Sequence, residues 1–247
     1  MDLEKINLEL RSQIVNFTNA LKEISRQNLK SVILYGGVAK LDYSIGKSNV
    51  NILFVFESVD LTTLDKIAVL FQRGIAEFKL APFILTDSEV KPSSDVFAVK
   101  LFDIKQHHIL LYGADVLKDL QFDRTHLQFL AGQELRNQLA RMKFFYIQNF
   151  NLPEALHKRV QSGFTGLVIN ANTFLYLKNG AYYGTRKEIV EQLLKEPNID
   201  TVSLSELLSF KESSIPPSAE EIKIFYDRLM IQYKQLIKLF KQLELNG

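Results

Sequence analysis

Leu34-Tyr35-Gly36-Gly37 and, beyond a polar spacer, Asn49-Val50-Asn51-Ile52-Leu53-Phe54-Val55-Phe56 form the stretch that decides this fold. Residues 31–35 read as a short strand that stops at the glycine pair. A polar loop spans residues 44–48, and a second strand, 50–56, follows it. A strand that runs into Gly-Gly and a helical turn leaves backbone N–H groups unpaired, and such a turn can cradle phosphate oxygens. Positions 49 and 51 are two apart at the start of a strand, so their side chains project from one face. Carboxylates at those two positions would make a two-pronged clamp for a divalent metal beside the cradle. Here both are asparagines.

Working outward, Leu3, Ile6, Leu10, Ile14, Phe17, Leu21 and Ile24 alternate spacings of three and four and predict an N-terminal helix. A helix after the second strand has Thr62 or Thr63 as its cap, with Leu64, Ile67, Ala68 and Phe71 turned inward. Two more strands are expected at 82–85 and 96–102, joined by a loop containing Lys91-Pro92-Ser93-Ser94. A helix is expected over 103–111, and Tyr112-Gly113 closes the unit. Strands interleaved with helices predict a small α/β domain over residues 1–120. Beyond it the strand signal fades. Helical spacing through Leu135 to Phe150, Val160 to Phe174, residues 186–195 and Ile222 to Leu243 predicts a bundle of about four helices over residues 121–247. Gly163 and Gly166 would allow close helix packing, and Pro216-Pro217 lies in a loop over 213–218.

Composition narrows the function. The chain has 247 residues, 47% hydrophobic and 23% charged, which suits a globular protein with substantial cores. It has no cysteine, which removes disulfides, thiol nucleophiles and thiolate metal sites. Thirty basic against 28 acidic residues give no electrostatic footprint for nucleic acid. The start, Met1-Asp2-Leu3-Glu4-Lys5, lacks the pattern of a signal peptide, and the apolar run 52–56 is too short to span a membrane. A cytoplasmic protein with no membrane partner is expected.

The glycine turn, the spacer and the hydrophobic strand resemble the nucleotidyltransferase superfamily that includes the aminoglycoside nucleotidyltransferases and DNA polymerase β. Its signature is Gly-Gly or Gly-Ser, a spacer of this length, and Asp-hydrophobic-Asp opening a strand. Gly36 and Gly37 match the turn, and Ser48-Asn49-Val50-Asn51 falls where Ser-Asp-hydrophobic-Asp is usual. Asp95-Val96-Phe97-Ala98-Val99-Lys100-Leu101-Phe102-Asp103-Ile104 resembles the strand with the third carboxylate, which aligns with Lys100. His108 and Leu111-Tyr112-Gly113 resemble the segment after it. The resemblance implies an α+β chain, with an N-terminal nucleotidyltransferase-like domain built on a small mixed sheet and a C-terminal helical bundle. It also implies a phosphate or nucleotide site at Gly36, Gly37 and Ser48.

The departures decide the expected activity. In this superfamily the carboxylates hold two magnesium ions, which bind the triphosphate and activate the incoming hydroxyl. Magnesium is a hard ion that prefers carboxylate and phosphate oxygens, whereas an asparagine offers one neutral carbonyl. Unit charges about 4 Å apart interact by about 4 kcal/mol at an effective dielectric near 20, so losing two carboxylates cripples metal binding. Asn49, Asn51 and Lys100 are therefore degenerate catalytic positions, no metal or other cofactor is expected, and metal-dependent transfer should be absent.

The expected role is a nucleotide- or phosphate-ligand-binding or regulatory module, with a second copy or another protein as candidate partner. The alternative is an active, magnesium-dependent nucleotidyltransferase acting on a small hydroxylated substrate such as an aminoglycoside. That would need acids recruited from elsewhere. Asp42, Asp87, Glu89, Asp95 and Asp103 are available, but each reads as a solvated loop or capping residue, with Asp103 as an N-cap. Lys100 itself has two readings: a counter-charge that replaces the metal, or a solvent-facing strand residue. His107-His108 reads as one buried and one exposed helical residue. Tyr182 to Arg186 reads as a helix entry capped by Thr185.

Overall fold

The computed structural model describes residues 3–44, 48–213 and 217–246. Residues 45–47 of the expected 44–48 loop and 214–216 of the 213–218 loop lie outside the described residues. The chain divides into two compact units, Met1–Phe122 and Asp123–Gly247.

The first unit is built on a four-stranded mixed sheet of order β3-β2-β1-β4. Its strands are β1 (Leu29–Tyr35), β2 (Val50–Phe56), β3 (Leu80–Thr86) and β4 (His108–Gly113). The central strand β1 pairs antiparallel with β2 and β4, and β2 pairs parallel with β3. The central strands are buried on both faces and read as near-continuous apolar runs for that reason.

One face packs on helices α1 (Leu8–Ser25) and α2 (Leu61–Phe78), where Ile14, Phe17 and Leu21 meet Val32, Leu34, Ile52, Phe54, Ile67 and Phe71. Phe17, Phe54 and Phe71 form a tilted and edge-on ring cluster with centroids 4.9–5.9 Å apart. The opposite face carries Ile33, Tyr35, Leu53 and Val55. It is covered by α3 (Asp87–Val96) and α4 (Ala98–Gln106) through Val90, Leu101 and Ile104.

Four expectations need correction. The segment 96–102, expected as a strand, is the end of α3 and the start of α4. Its buried positions, continuing from Val90 and Ser94 to Ala98, Leu101, Phe102 and Ile104, keep helical spacing that outweighs the strand preference of Val96, Phe97 and Val99. Lys91-Pro92-Ser93-Ser94, expected as a loop, lies within α3. A capping box between Thr86 and Glu89 starts that helix early enough to carry it through Pro92. The expected helix 103–111 stops at Gln106, and the run after it is strand β4. The cap of α2 is Asp60, whose Oδ1 accepts the Thr63 N–H at 2.7 Å.

The second unit is helical: α5 (Arg124–Asn149), α6 (Pro153–Asn179), α7 (Arg186–Leu193), α8 (Thr201–Glu212) and α9 (Ala219–Asn246). The sequence reading does not include α8, whose apolar face (Leu204, Leu207, Phe210) is short and interrupted by serines. α6 is the buried centre, packed by α5 and α9. Gly163 and Gly166 let α9 approach it. A Cβ at Gly163 would lie 2.8 Å from a Leu229 methyl, and one at Gly166 would lie 3.2 Å from the Tyr233 hydroxyl. The buried Tyr226 and Tyr233 hydroxyls donate to the carbonyls of Met142 and Gly163 at 2.8 and 2.9 Å, so neither is left unsatisfied. Asn172 donates to the Tyr183 carbonyl and accepts its N–H at 2.8 and 3.0 Å, a peptide-like pairing that staples the loop before α7. Thr185 caps α7 as expected. Among the described residues no helix is long and apolar enough to cross a membrane.

Candidate functional site

The glycine turn is one helical turn folded back at the end of β1. Lys40 N–H donates to the Gly36 carbonyl at 3.0 Å, and Asp42 N–H donates to that of Gly37 at 2.8 Å. Gly36 has φ +72°, a left-handed conformation that L side chains rarely adopt. A Cβ there would also lie 2.8 Å from the Asn51 amide nitrogen, and one at Gly37 would lie 2.6 Å from the Asp42 carbonyl oxygen. The two glycines are demanded by the turn and by what packs on it.

Asn51 is the cross-strand partner of Tyr35 and half-buried, so its amide sits directly against Gly36. Asn49 is exposed, one residue ahead of β2, and its carbonyl receives a long contact of 3.5 Å from the Asn51 amide. Ser48 closes the spacer loop. Its hydroxyl accepts the Ser44 N–H at 2.9 Å, and its own N–H donates to the Ser44 carbonyl at 2.9 Å. The structure thus brings Gly36, Gly37 and Asn51 together, with Asn49 and Ser48 adjoining in the chain.

Lys100 lies on helix α4, not on a strand, yet its side chain reaches the Asn51 face of the sheet. Its Nζ is 3.6 Å from the Phe83 ring centroid and 5.8 Å from that of Tyr35, within the range of ammonium–aromatic attraction. Tyr35 pairs with Asn51 on β2, and Phe83 pairs with Leu53. The two rings therefore stand on either side of β2, and the ammonium overlies the strand that opens with Asn49-Val50-Asn51. One turn along α4, Asp103 is buried and its Oδ1 receives the Lys40 ammonium at 2.6 Å. The expected N-cap role of Asp103 is corrected, because α4 has already begun at Ala98 and the carboxylate points into the unit. Burial, together with the charge of Asp103, pushes the Tyr35 hydroxyl well above its ordinary range.

Of the other carboxylates weighed from the sequence, Glu89 caps α3 by accepting the Thr86 N–H at 2.7 Å. Asp87 opens the same helix, and Asp95 is exposed near its end. Asp42 reaches the turn through its backbone. Among the described residues no group of three or more His, Asp or Glu side chains comes together to hold a metal ion. His107 and His108 are both partly buried at the junction of α4 and β4, so the expected helical divergence is replaced by a strand start. His108 Nδ1 lies 3.0 Å from the Ile104 carbonyl, and Nε2 lies 3.3 Å from Asp115 Oδ2.

Sequence reasoning missed Lys40, Tyr35 and Phe83. Lys40 had a usable signal, since it falls one helical turn after Gly36. Phe83 joins Tyr35 and Lys100 only through the parallel pairing of β3 with β2.

No family model matches this chain, and no curated protein does either. A search of solved structures finds the crystal structure of spectinomycin adenyltransferase AAD(9) from Enterococcus faecialis with ATP and spectinomycin. The likeness has a TM-score of 0.62 at 10% identity and covers 90% of this chain and 98% of that one. At that identity the likeness is one of fold. The chain has a nucleotidyltransferase-like fold, with the small mixed sheet in its N-terminal part and helices in its C-terminal part.

Proposed function

We propose that this chain is a catalytically degenerate nucleotidyltransferase-fold protein that binds a nucleotide or another phosphate ligand without transferring it, as a binding or regulatory module in the cytoplasm. The observation that carries this reading is the Asn51 amide packed against Gly36, where a metal-holding carboxylate belongs in the resembled superfamily. The residues at this end of the sheet do not fit a pair of magnesium ions: two amides replace two carboxylates, and the Lys100 ammonium overlies the same strand. The turn at Gly36 and Gly37 keeps its helical hydrogen bonds, and a turn of that kind supports affinity for phosphate oxygens with no metal.

Calorimetric titration with ATP and GTP, in magnesium and in chelator, tests the reading, alongside an assay for pyrophosphate release. Binding without release is the expected result. Affinity that rises about a hundredfold on adding magnesium, equivalent to about 2.7 kcal/mol, would contradict it. The second reading, an active transferase on a small hydroxylated acceptor, draws on the fold neighbour, whose structure holds ATP and spectinomycin. Pyrophosphate release with an aminoglycoside or spectinomycin as acceptor would favour it.

A further inference from the structure

We infer that the outer edge of β4 is a self-association surface, at which two copies of this chain pair their β4 strands antiparallel about a two-fold axis. The two four-stranded sheets then join into one of eight strands.

The two edges of the sheet differ in how they meet solvent. β3 forms one edge and carries Pro82, which has no N–H to offer a further strand. β4 forms the other with His108-Ile109-Leu110-Leu111-Tyr112-Gly113, a run with no proline, lysine, arginine or carboxylate. Among the described residues, no other backbone hydrogen-bonds to the side of β4 that faces away from β1. An edge strand in that state is a template for another strand, and proteins that must stay apart blunt such an edge with charge or proline. The extra residue at Leu111 in the pairing with β1 sharpens the twist of the strand without adding either.

The occupant is a second copy because the strand complements itself. Antiparallel pairing with Leu110 opposite its own symmetry mate puts Ile109 opposite Leu111, and directly opposed residues share a face. Ile109 and Leu111 both pack into the core beneath α1 and α2, so that core continues across the axis. Leu110 lies beside Ile33 on the face covered by α3 and α4, yet it is 40% exposed. On the other face α1 runs beside β4, with the Lys22 ammonium over the Tyr112 ring. Val15, two turns earlier on that side of α1, is also 40% exposed. Two-fold symmetry sets these apolar groups against their own copies, and the strand holds no Lys, Arg, Asp or Glu to oppose its like. The axis stands normal to the sheet, so the two β1 strands run antiparallel and their glycine turns lie at opposite ends of the joined sheet.

A six-residue strand with one flanking helix makes a small interface, and the expected dissociation constant is on the order of 10 μM. Sedimentation of the full chain from about 1 to 300 μM brackets that value. Wild type should pass from monomer to dimer across the range. Leu110→Lys and Leu110→Glu, each with a native circular dichroism spectrum, should weaken dimerisation about tenfold, since each removes an apolar contact and sets like charges opposite each other. An equimolar mixture of the two should recover mixed dimers, because lysine then faces glutamate across the axis. Hydrogen exchange on the wild type needs no substitution: β4 amides should slow as the concentration rises, while β2 amides stay unchanged.

A wild type that remains monomeric throughout overturns the inference. So does a dimer that both substitutions leave intact, or one whose formation leaves β4 exchange unaltered. Folded variants that dissociate but are not rescued by mixing overturn the pairing of Leu110 with itself. Where either variant misfolds, the exchange measurement on the wild type decides.

Discussion

The Lys40–Asp103 pair can be broken by Asp103→Ala, and its placement sets the cost. Both side chains are nearly out of solvent, 10% and 6% exposed, with Nζ and Oδ1 at 2.6 Å. Removing the carboxylate leaves an ammonium in a pocket arranged for a neutral pair, and breaking buried pairs in this way costs about 3–5 kcal/mol. Against a total stability on the order of 5–15 kcal/mol, that is a large loss for the first unit. Because Lys40 closes the turn that begins at Gly36, the same change should loosen the glycine turn and weaken phosphate binding. Replacing both charges together, Lys40→Met with Asp103→Leu, should cost less than either single change, because no charge is then buried alone.

Since the chain has two units, the assay must report on the first. Hydrogen exchange of the β1 and β2 amides does so, with urea unfolding followed by circular dichroism as a second measure. A cost below about 1 kcal/mol for Asp103→Ala would refute this reasoning, because it would place the pair among solvent-exposed bridges. So would additivity within about 0.5 kcal/mol around the double-mutant cycle, which would mean the two groups do not depend on each other.

Gly113→Ala should destabilise the first unit severely: φ is +79° and the new Cβ would fall 1.9 Å from the Lys30 carbonyl oxygen, so β4 must move off β1. Loss of protection at the β1 amides checks this, and near-native protection would contradict it. In the second unit, burial and, to a lesser degree, the nearby Lys211 charge hold the His157 imidazole below its ordinary range, while Gln161 Nε2 lies 3.1 Å from the His157 Nε2 that must accept its proton. The unfolded chain therefore binds the proton more readily. Stability should fall as the pH drops from about 6.5, the ordinary histidine value, through the lower folded value. His157→Asn should flatten that part of the profile in urea titrations at several pH values, and an unchanged slope would assign the acid sensitivity elsewhere.

Much of the fold was legible because local signals agreed with the tertiary arrangement. Residues 31–35 and 50–56 are apolar runs that stop at turn chemistry, and both are strands in the structure. The long helices of the second unit announced themselves through Phe164, Ala171 and Tyr233 at helical spacing. The reading failed between Asp87 and Gly113, where signals conflict. Pro92 argues for a break that the Thr86–Glu89 capping box overrides, and Val96 to Val99 favour a strand although their neighbours bury at helical intervals.

For the candidate site, the glycine turn and the two asparagines could be read from spacing alone, since they are set by one hairpin-like pairing of β1 with β2. The surroundings of Lys100 could not. They depend on Phe83 arriving by a crossover through α2, and on α4 lying across the sheet where the sequence suggested another strand. The pairing of Lys40 with Asp103 likewise joins residues that no local pattern connects.

The position of β4 bears on how the molecule is made. The first strand to leave the ribosome is the middle of the sheet, and its second neighbour is the last strand of the unit to be synthesised. Until His108 to Gly113 emerge, one long edge of that strand is open to solvent or to another chain. The nascent chain should therefore depend on a holding chaperone until β4 has been synthesised. Slowing translation just ahead of β4 should raise the aggregated fraction more than a pause placed after it.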